Sequence, residues 1–330
     1  MRLENLIRLI QGKLLTNPAI SAVSGIAFNP NEVKSGDVFI CLDRLQSSIE
    51  IAVNAGAHAL ILDKSATIID NEIAWIEVDN LDMALARLAR FYIANNNIAT
   101  YIFDNLELSL AKAMGVPKGI LLIEETLSNL LRALWEGNLP AAIGGNNILL
   151  MERIAPEAKT LQKPQLAPMI LSSSTLFHTS FVFEDRFYQH VLLPPFWVEA
   201  FGSVAKLFSS HGWKYGNLKP LGHFTPIFID KHLSPHPFGA TRKALIIESD
   251  PKLFESEAQY LLSRYKKEDI YICAPKSSSL HVKIDFIYEK NEELLGLEPK
   301  DFRYALILGN FDRVERLLQS QESFKQPTLF

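Results

Sequence analysis

Three histidines, His223, His232 and His236, stand in an H-x8-H-x3-H arrangement beside Asp230, a set of nitrogen and oxygen donors that could face a metal ion. The last two fall in a Pro-rich loop with no helix to align their imidazoles, so the expected state is a solvated loop with no metal. Ser172 to Ser180 reads Ser-Ser-Ser-Thr-Leu-Phe-His-Thr-Ser and brings hydroxyls close to His178, the ingredients of a nucleophile and its base. The Gly-x-Ser-x-Gly turn that exposes such a serine is missing, and hydroxyls satisfying an edge strand are the simpler expectation. Phe238-Gly-Ala-Thr-Arg242 precedes an apolar run and could present Thr241 and Arg242 to an anion, while Leu308-Gly309-Asn310 could offer backbone amides. Such junctions are mostly demanded by chain geometry. The acidic pairs Glu124-Glu125 and Glu292-Glu293, and the run Lys266-Lys-Glu-Asp269, read as solvated helix faces or turns. His178, His223, Thr241 and Arg242 are the ligand-binding candidates that emerge.

The chain that must position them has 330 residues, 48% hydrophobic and 21% charged. That is ordinary globular composition, and the length calls for about two or three domains. A net charge of −4 with scattered Lys and Arg offers no field for a polyanion, so nucleic acid is not an expected partner. Cys41 and Cys273 each sit in an apolar run, as buried thiols in a reducing compartment do. The opening residues place Leu3, Leu6, Ile7, Ile10 and Leu14 on one helical face interrupted by charges, unlike a signal peptide. With no uncharged apolar stretch of the ~18 residues that span a bilayer, a cytoplasmic protein without a transmembrane segment is expected.

Periodicity predicts an α/β protein. Residues 1–98 alternate helix and strand: the opening helix, Asp37–Leu42, a helix over Ile49–Ala57, strands at His58–Leu62 and Ala74–Val78, and a helix from Leu81 to Tyr92 behind an Asp79-Asn80 cap. Residues 99–240 read as a mixed α/β region of unknown role, with a strand at Gly119–Ile123 and a helix over Leu127–Trp135. From 164 to 240 aromatics, prolines and histidines crowd together without long helical periodicity. There Phe196, Trp197, Phe201, Phe208 and Trp213 read first as core, with a surface for a partner or for homo-oligomer formation as the alternative. Residues 241–320 predict a small Rossmann-like unit, and 321–330 a tail.

The segment Ala27-Phe-Asn-Pro-Asn-Glu-Val-Lys-Ser-Gly-Asp-Val-Phe-Ile-Cys41, followed by Ala52-Val-Asn-Ala-Gly-Ala-His-Ala-Leu-Ile-Leu62, Trp75-Ile-Glu-Val-Asp79 and Ala84 to Tyr92, resembles the N-terminal domain of MurE/MurF-type Mur ligases. The resemblance covers residues ~20–95, and the remainder of the chain is not recognised. It implies a domain that in those enzymes holds the UDP portion of a UDP-muramoyl peptide. Gly36-Asp37 and Gly56 read as scaffold within it. The family's ligand-contacting Asp-Ser-Arg falls at Asn29-Pro30-Asn31, which makes Asn29 and Asn31 the candidate ligand contacts, and its Asp-Gly-His stretch is replaced by Asp43-Arg-Leu-Gln-Ser-Ser48.

A Mur ligase also needs a glycine-rich loop ending in Gly-Lys-Thr/Ser, whose amides and lysine neutralise nucleotide phosphates. No Gly-Lys-Ser/Thr occurs in the chain, and the segment where the loop would start, Thr100-Tyr-Ile-Phe-Asp104, is followed by no glycines. The resemblance therefore implies a non-ligase, Mur-ligase-like protein, without cofactor, that binds or regulates in peptidoglycan precursor metabolism. Its partner would be a UDP-muramoyl precursor or a cell-wall enzyme. The alternatives are an enzyme of another class built around His178, His223 and Arg242, and an oligomerising structural adaptor.

Overall fold

Continuous apolar strands covered on both faces organise this protein. The computed structural model describes residues 1–124, 127–164, 167–172 and 175–325, and the chain divides into two compact units, 1–218 and 219–330.

The first unit opens with helix α1 (Leu3–Ile10), whose buried face is Leu3, Leu6 and Ile10. Strands β1 (Lys13–Leu14), β2 (Ile26–Ala27), β3 (Val38–Ile40), β4 (Ala59–Leu62) and β5 (Ala74–Glu77) form a sheet in the order β1-β5-β4-β3-β2. The last four run parallel to one another, and β1 pairs antiparallel with β5. Helix α2 (Gln46–Asn54) covers one face, where Phe39, Leu60, Leu62 and Trp75 meet Ile49 and Ala52. Helix α3 (Leu81–Asn95) covers the other with α1, against Val38, Ile40, Ile61 and Ile76. Asn80 caps α3 by accepting the Met83 amide at 2.9 Å, as expected. Gly56, at φ +94, ends the α2 turn in a conformation that costs glycine nothing.

A second parallel sheet follows, in the order β7-β8-β6-β9, from β6 (Ala99–Ile102), β7 (Ile120–Ile123), β8 (Ala142–Gly145) and β9 (Lys159–Thr160). Its helices are α4 (Asn105–Ala113), α5 (Ser128–Trp135) and α6 (Ile148–Ile154). The boundary expected near residue 98 separates the two sheets but not their cores. Buried Leu85 and Leu88 of α3 belong to one cluster with Leu130, Leu131, Met151 and Ile154 of the second layer. An antiparallel meander of β10 (Met169–Ser172), β11 (Thr179–Phe183) and β12 (Arg186–Val191) completes the unit with α7 (Val198–Ser210). This helix of 13 residues corrects the reading of 164–240 as lacking long helical periodicity. Phe201, Val204, Ala205 and Phe208 are buried on one side of it, at the spacing of an apolar helix face, with Phe201 edge-on to Phe181 at 5.2 Å. Trp197 is buried as well, so Trp197, Phe201 and Phe208 are core, whereas Phe196 and Trp213 are half-buried.

The second unit is a six-stranded sheet in the order β14-β13-β15-β18-β16-β17, from β13 (Thr225–Ile229), β14 (Pro235–His236), β15 (Lys243–Glu248), β16 (Ile270–Pro275), β17 (Phe286–Tyr288) and β18 (Tyr304–Leu308). Strands β15 to β18 are mutually parallel, whereas β13 runs antiparallel to β15 and extends the sheet upstream of the expected start at 241. Helices α8 (Pro251–Arg264) and α9 (Phe311–Lys325) connect and close it. Cys41 and Cys273 are both buried and free. Burial pushes the Cys41 thiol up to about 11 and the Cys273 thiol higher still. No helix among the described residues is long and apolar enough to cross a membrane.

Candidate functional site

A cavity of about 330 Å³ opens in the first unit between the two stretches where the Mur resemblance places ligand contacts. Phe28, which lines it, precedes Asn29, and Leu42, also in the lining, precedes Asp43. Helices α3 and α6 supply Asp82, Asn147 and Arg153, so polar groups of both charges look onto a mostly apolar surface.

The flanking loops spend their polar groups on themselves. Asn29 caps a short 3-10 turn by accepting the Asn31 amide at 3.0 Å, leaving Asn31 exposed beside it. Asp43 accepts the Ser48 hydroxyl at 2.5 Å and the Leu45 amide at 3.1 Å. The Ser48 bond is the main cause that holds the Asp43 carboxyl below its ordinary range. Arg44 pairs with Asp63 through two contacts of 2.8 and 2.6 Å. These bonds lie within the flanking loops, and none of the residues that make them lines the cavity.

At the carboxyl end of β6 the chain passes through buried Phe103 directly into α4. Asp104 accepts the Glu107 amide at 2.7 Å, and Glu107 accepts the Asp104 amide at 2.9 Å. This reciprocal cap places two carboxyl groups on the helix N-terminus, the position that in a phosphate-binding loop offers free amides to an anion. Burial pushes the Glu107 carboxyl up to about 7. Asn146, just after β8, is tied to Asn105 at 3.0 Å, and Gly144 lets the Phe103 ring lie against the β8 backbone. The strand ends are thus filled by side chains.

In the second unit the densest polar cluster lies at the carboxyl end of β15. Glu248, with 0% exposure, accepts four donors: His223 Nδ1 at 2.8 Å, the Ser249 and Asp250 amides at 2.8 and 2.7 Å, and the Phe224 amide at 3.1 Å. The Glu248 bond raises the His223 imidazole above its usual value. Glu257 of α8 is buried beside this group, and neither carboxyl oxygen has a hydrogen bond among the described residues. Burial, and then the charge of Glu248, raises its carboxyl well above the ordinary range. Neither acid was singled out from sequence. The available signal is that Glu257 shares a helical face with Phe254, Ala258 and Leu261, all buried.

The other candidates disperse. Thr241 donates its hydroxyl to the Lys243 carbonyl at 3.1 Å, and with exposed Arg242 it precedes β15. A six-residue strand separates them from Glu248, about 20 Å at the usual rise, so Arg242 and His223 do not share a site. His223 also stands at the opposite end of β13 from His232 and His236. These pair with Glu298 at 3.0 Å and Asp230 at 3.7 Å, and no metal-binding group of three is found among the described residues. His178 belongs to the other unit and stacks on His190 at 4.3 Å, while the Ser180 hydroxyl accepts the His190 amide. Ser173, Ser174, Glu125 and the tail residues 326–330 lie outside the described residues. The amide of Gly309 already donates to the Glu248 carbonyl at 2.8 Å, and Asn310 caps α9 through the Arg313 amide.

No protein-family model matches the chain, and no curated protein matches it. Solved structures do. The MurF ligase of Thermotoga maritima, in complex with ADP, aligns over 92% of this chain and 99% of its own, at 12% identity and a TM-score of 0.54. MurF of Acinetobacter baumannii aligns over 98% of both chains, at 12% identity and a TM-score of 0.55. The fold is therefore Mur-ligase-like along almost the whole chain, which corrects the restriction of the likeness to residues ~20–95. Past that segment the architecture persists where its sequence motifs do not.

Proposed function

We propose that this chain is a binding or regulatory protein of peptidoglycan precursor metabolism, acting in the cytoplasm, that keeps the Mur ligase architecture without its ATP-driven amide ligation. The observation that carries this reading is the Asp104–Glu107 cap on α4. Acyl-phosphate chemistry requires a site that neutralises nucleotide phosphates, and here the equivalent helix end carries carboxyl groups with neither lysine nor glycine loop. The MurF identity of the structural neighbours supports the link to wall precursors, and the cavity beside Phe28 and Leu42 is the place where a UDP-muramoyl precursor would lie.

Thermal-shift series with UDP, UDP-sugars, UDP-muramoyl peptides and Mg-ATP test it, because a ligand that binds only the folded state raises the melting temperature by mass action. The expected result is a rise with a UDP-muramoyl species and none with ATP. A rise with ATP, or phosphate release in the presence of a UDP-muramoyl peptide and an amino acid, refutes it.

A second reading, an enzyme of another class, is favoured by the His223–Glu248 pair, because a buried carboxylate that fixes an imidazole at Nδ1 is how a general base is oriented. Under that reading the site is confined to the second unit, and Arg242 has no part in it.

A further inference from the structure

One open groove in the first unit has no part in the proposed function. It runs along α1 beside α3 and the end of α5 and has a volume of about 700 Å³. Its floor is aromatic. Tyr92 packs against Trp135 at 6.0 Å and Phe91 stands edge-on to Tyr92 at 5.7 Å. Trp135 is fixed by its Nε1 bond to the Ser24 carbonyl at 2.8 Å, whereas Phe91 is 43% exposed.

The wall of the groove is formed by Arg2, which precedes α1, and by Asn5 and Arg8 of α1, all exposed. No carboxylate among the described residues lines the groove. Among the described residues neither guanidinium meets an acid, and Arg8 reaches only the Asn5 side chain at 3.4 Å. Two arginines over an aromatic floor, on a chain of net charge −4, are a local inversion of the charge of the whole molecule. Arginine, tryptophan and tyrosine are also the residues that carry most interface energy.

We propose that this groove docks an acidic, extended segment of a partner protein. An apolar or aromatic side chain of that segment rests on Phe91, Tyr92 and Trp135, and two carboxylates meet Arg2 and Arg8. A small molecule would stay half in solvent against walls this exposed, whereas a chain segment lying along α1 covers them. Arg2 and Arg8 are separated by about 9 Å along the helix axis at the usual rise. In a segment with polyproline II geometry, three residues per turn and about 3.1 Å rise, that spacing corresponds to acids three residues apart on one face. The proposal concerns a surface away from the precursor cavity and stands whether or not that cavity binds a UDP-muramoyl species.

The test uses the full chain and a fluorescein-labelled peptide, Ser-Glu-Leu-Trp-Glu-Ser, with Lys replacing both Glu in a control, read by fluorescence anisotropy. The expected result is saturable binding that weakens with salt, is absent for the lysine control, and falls about ten-fold or more in the Arg2→Glu/Arg8→Glu variant. Phe91→Ser is the second variant, since an exposed ring can be removed without disturbing the core, and it is expected to weaken binding as well. Both variants must keep the melting temperature of the parent. Equal affinity in the variants, equal binding of the lysine peptide, or no saturable binding overturns the proposal. So does a concentration-dependent dimer in sizing chromatography that the double charge reversal dissolves, since the groove then belongs to a second copy of this chain.

Discussion

Replacing Glu257 by glutamine is expected to stabilise the second unit, increasingly so as pH rises. The side chain is fully buried and neither of its oxygens is hydrogen-bonded among the described residues. Burial and the neighbouring Glu248 raise its carboxyl well above the ordinary value of 4.5. Between those two pKa values the folded protein holds a proton that the unfolded chain has released, so stability falls as pH rises. The slope is about 1.4 kcal/mol per pH unit inside this window. Glu257→Gln removes that titration at nearly unchanged side-chain volume. Parent and variant should match near pH 4.5 and diverge at that slope above it. The contribution of His223 to the pH dependence is common to both and cancels. Because a chain with two compact units need not unfold in one step, the suitable assay is native-state hydrogen exchange at Leu245, Ile246 and Leu306. These amides lie in β15 and β18, so they report the opening of this sheet. Parallel pH curves for the two proteins would refute the reasoning.

Asp104→Ala should cost about 1 kcal/mol, within the range for a lost N-cap, and should still confer no ATP-induced shift in melting temperature, since no lysine or glycine loop replaces it. His223→Ala should destabilise the second unit by about 1.5–3 kcal/mol at pH 6, the range for a hydrogen bond to a charged group. Because the folded imidazole titrates above its ordinary value of 6.5, the charged part of this stabilisation is fully present below 6.5 and lost as pH passes the raised value. Urea titrations at pH 6 and 8.5 should therefore show the penalty shrinking. Gly144→Ala puts a methyl group into the Phe103 ring and should cost about 1–3 kcal/mol as overpacking, seen as a lower urea midpoint for the first unit.

Much of the fold is legible in the sequence where one periodicity dominates. β18 is a pure apolar run bounded by Arg303 and Gly309, and its limits are read directly. α3 carries both its cap, Asn80, and its buried stripe of Leu81, Leu85 and Leu88. α7 is obscured because Phe201-Gly202-Ser203 breaks a helical pattern with residues of low helix propensity, and tertiary packing against β11 and β12 overrides them. His281–Ile287 reads as a strand, but only Phe286–Tyr288 pairs with β16, since Asp285 is drawn to the Ile272 amide and to Lys267. For the site, His223 is singled out from sequence as a metal or ligand candidate, and the structure sets its imidazole against the buried Glu248. Glu248 and Glu257 pass unnoticed because an acid at the end of an apolar run reads as the exit to solvent. Asn29 and Asn31 hold the positions that the Mur resemblance assigns, but side-chain amides that cap their own turn leave no mark in the residue pattern that separates them from ligand contacts. The likeness beyond residue 95 is invisible for a related reason: a parallel sheet is specified by buried apolar runs that many sequences satisfy, whereas recognition from sequence depends on the phosphate-loop residues that this chain lacks.

The position of β18 fixes when the second unit can form. Tyr304 pairs with Ala244 of β15 on one side and with Ile270 of β16 on the other, so the strand synthesised last occupies the middle of the sheet. Until it emerges from the ribosome, β15 and β16 face an empty slot with their inner backbone edges unpaired. Such edges recruit other strands, and pairing across long sequence separations is slow. A nascent chain stalled before Tyr304 is thus a half-built sheet awaiting its centrepiece. The pairing of the second unit's sheet is complete only when Tyr304–Leu308 is available to both neighbours.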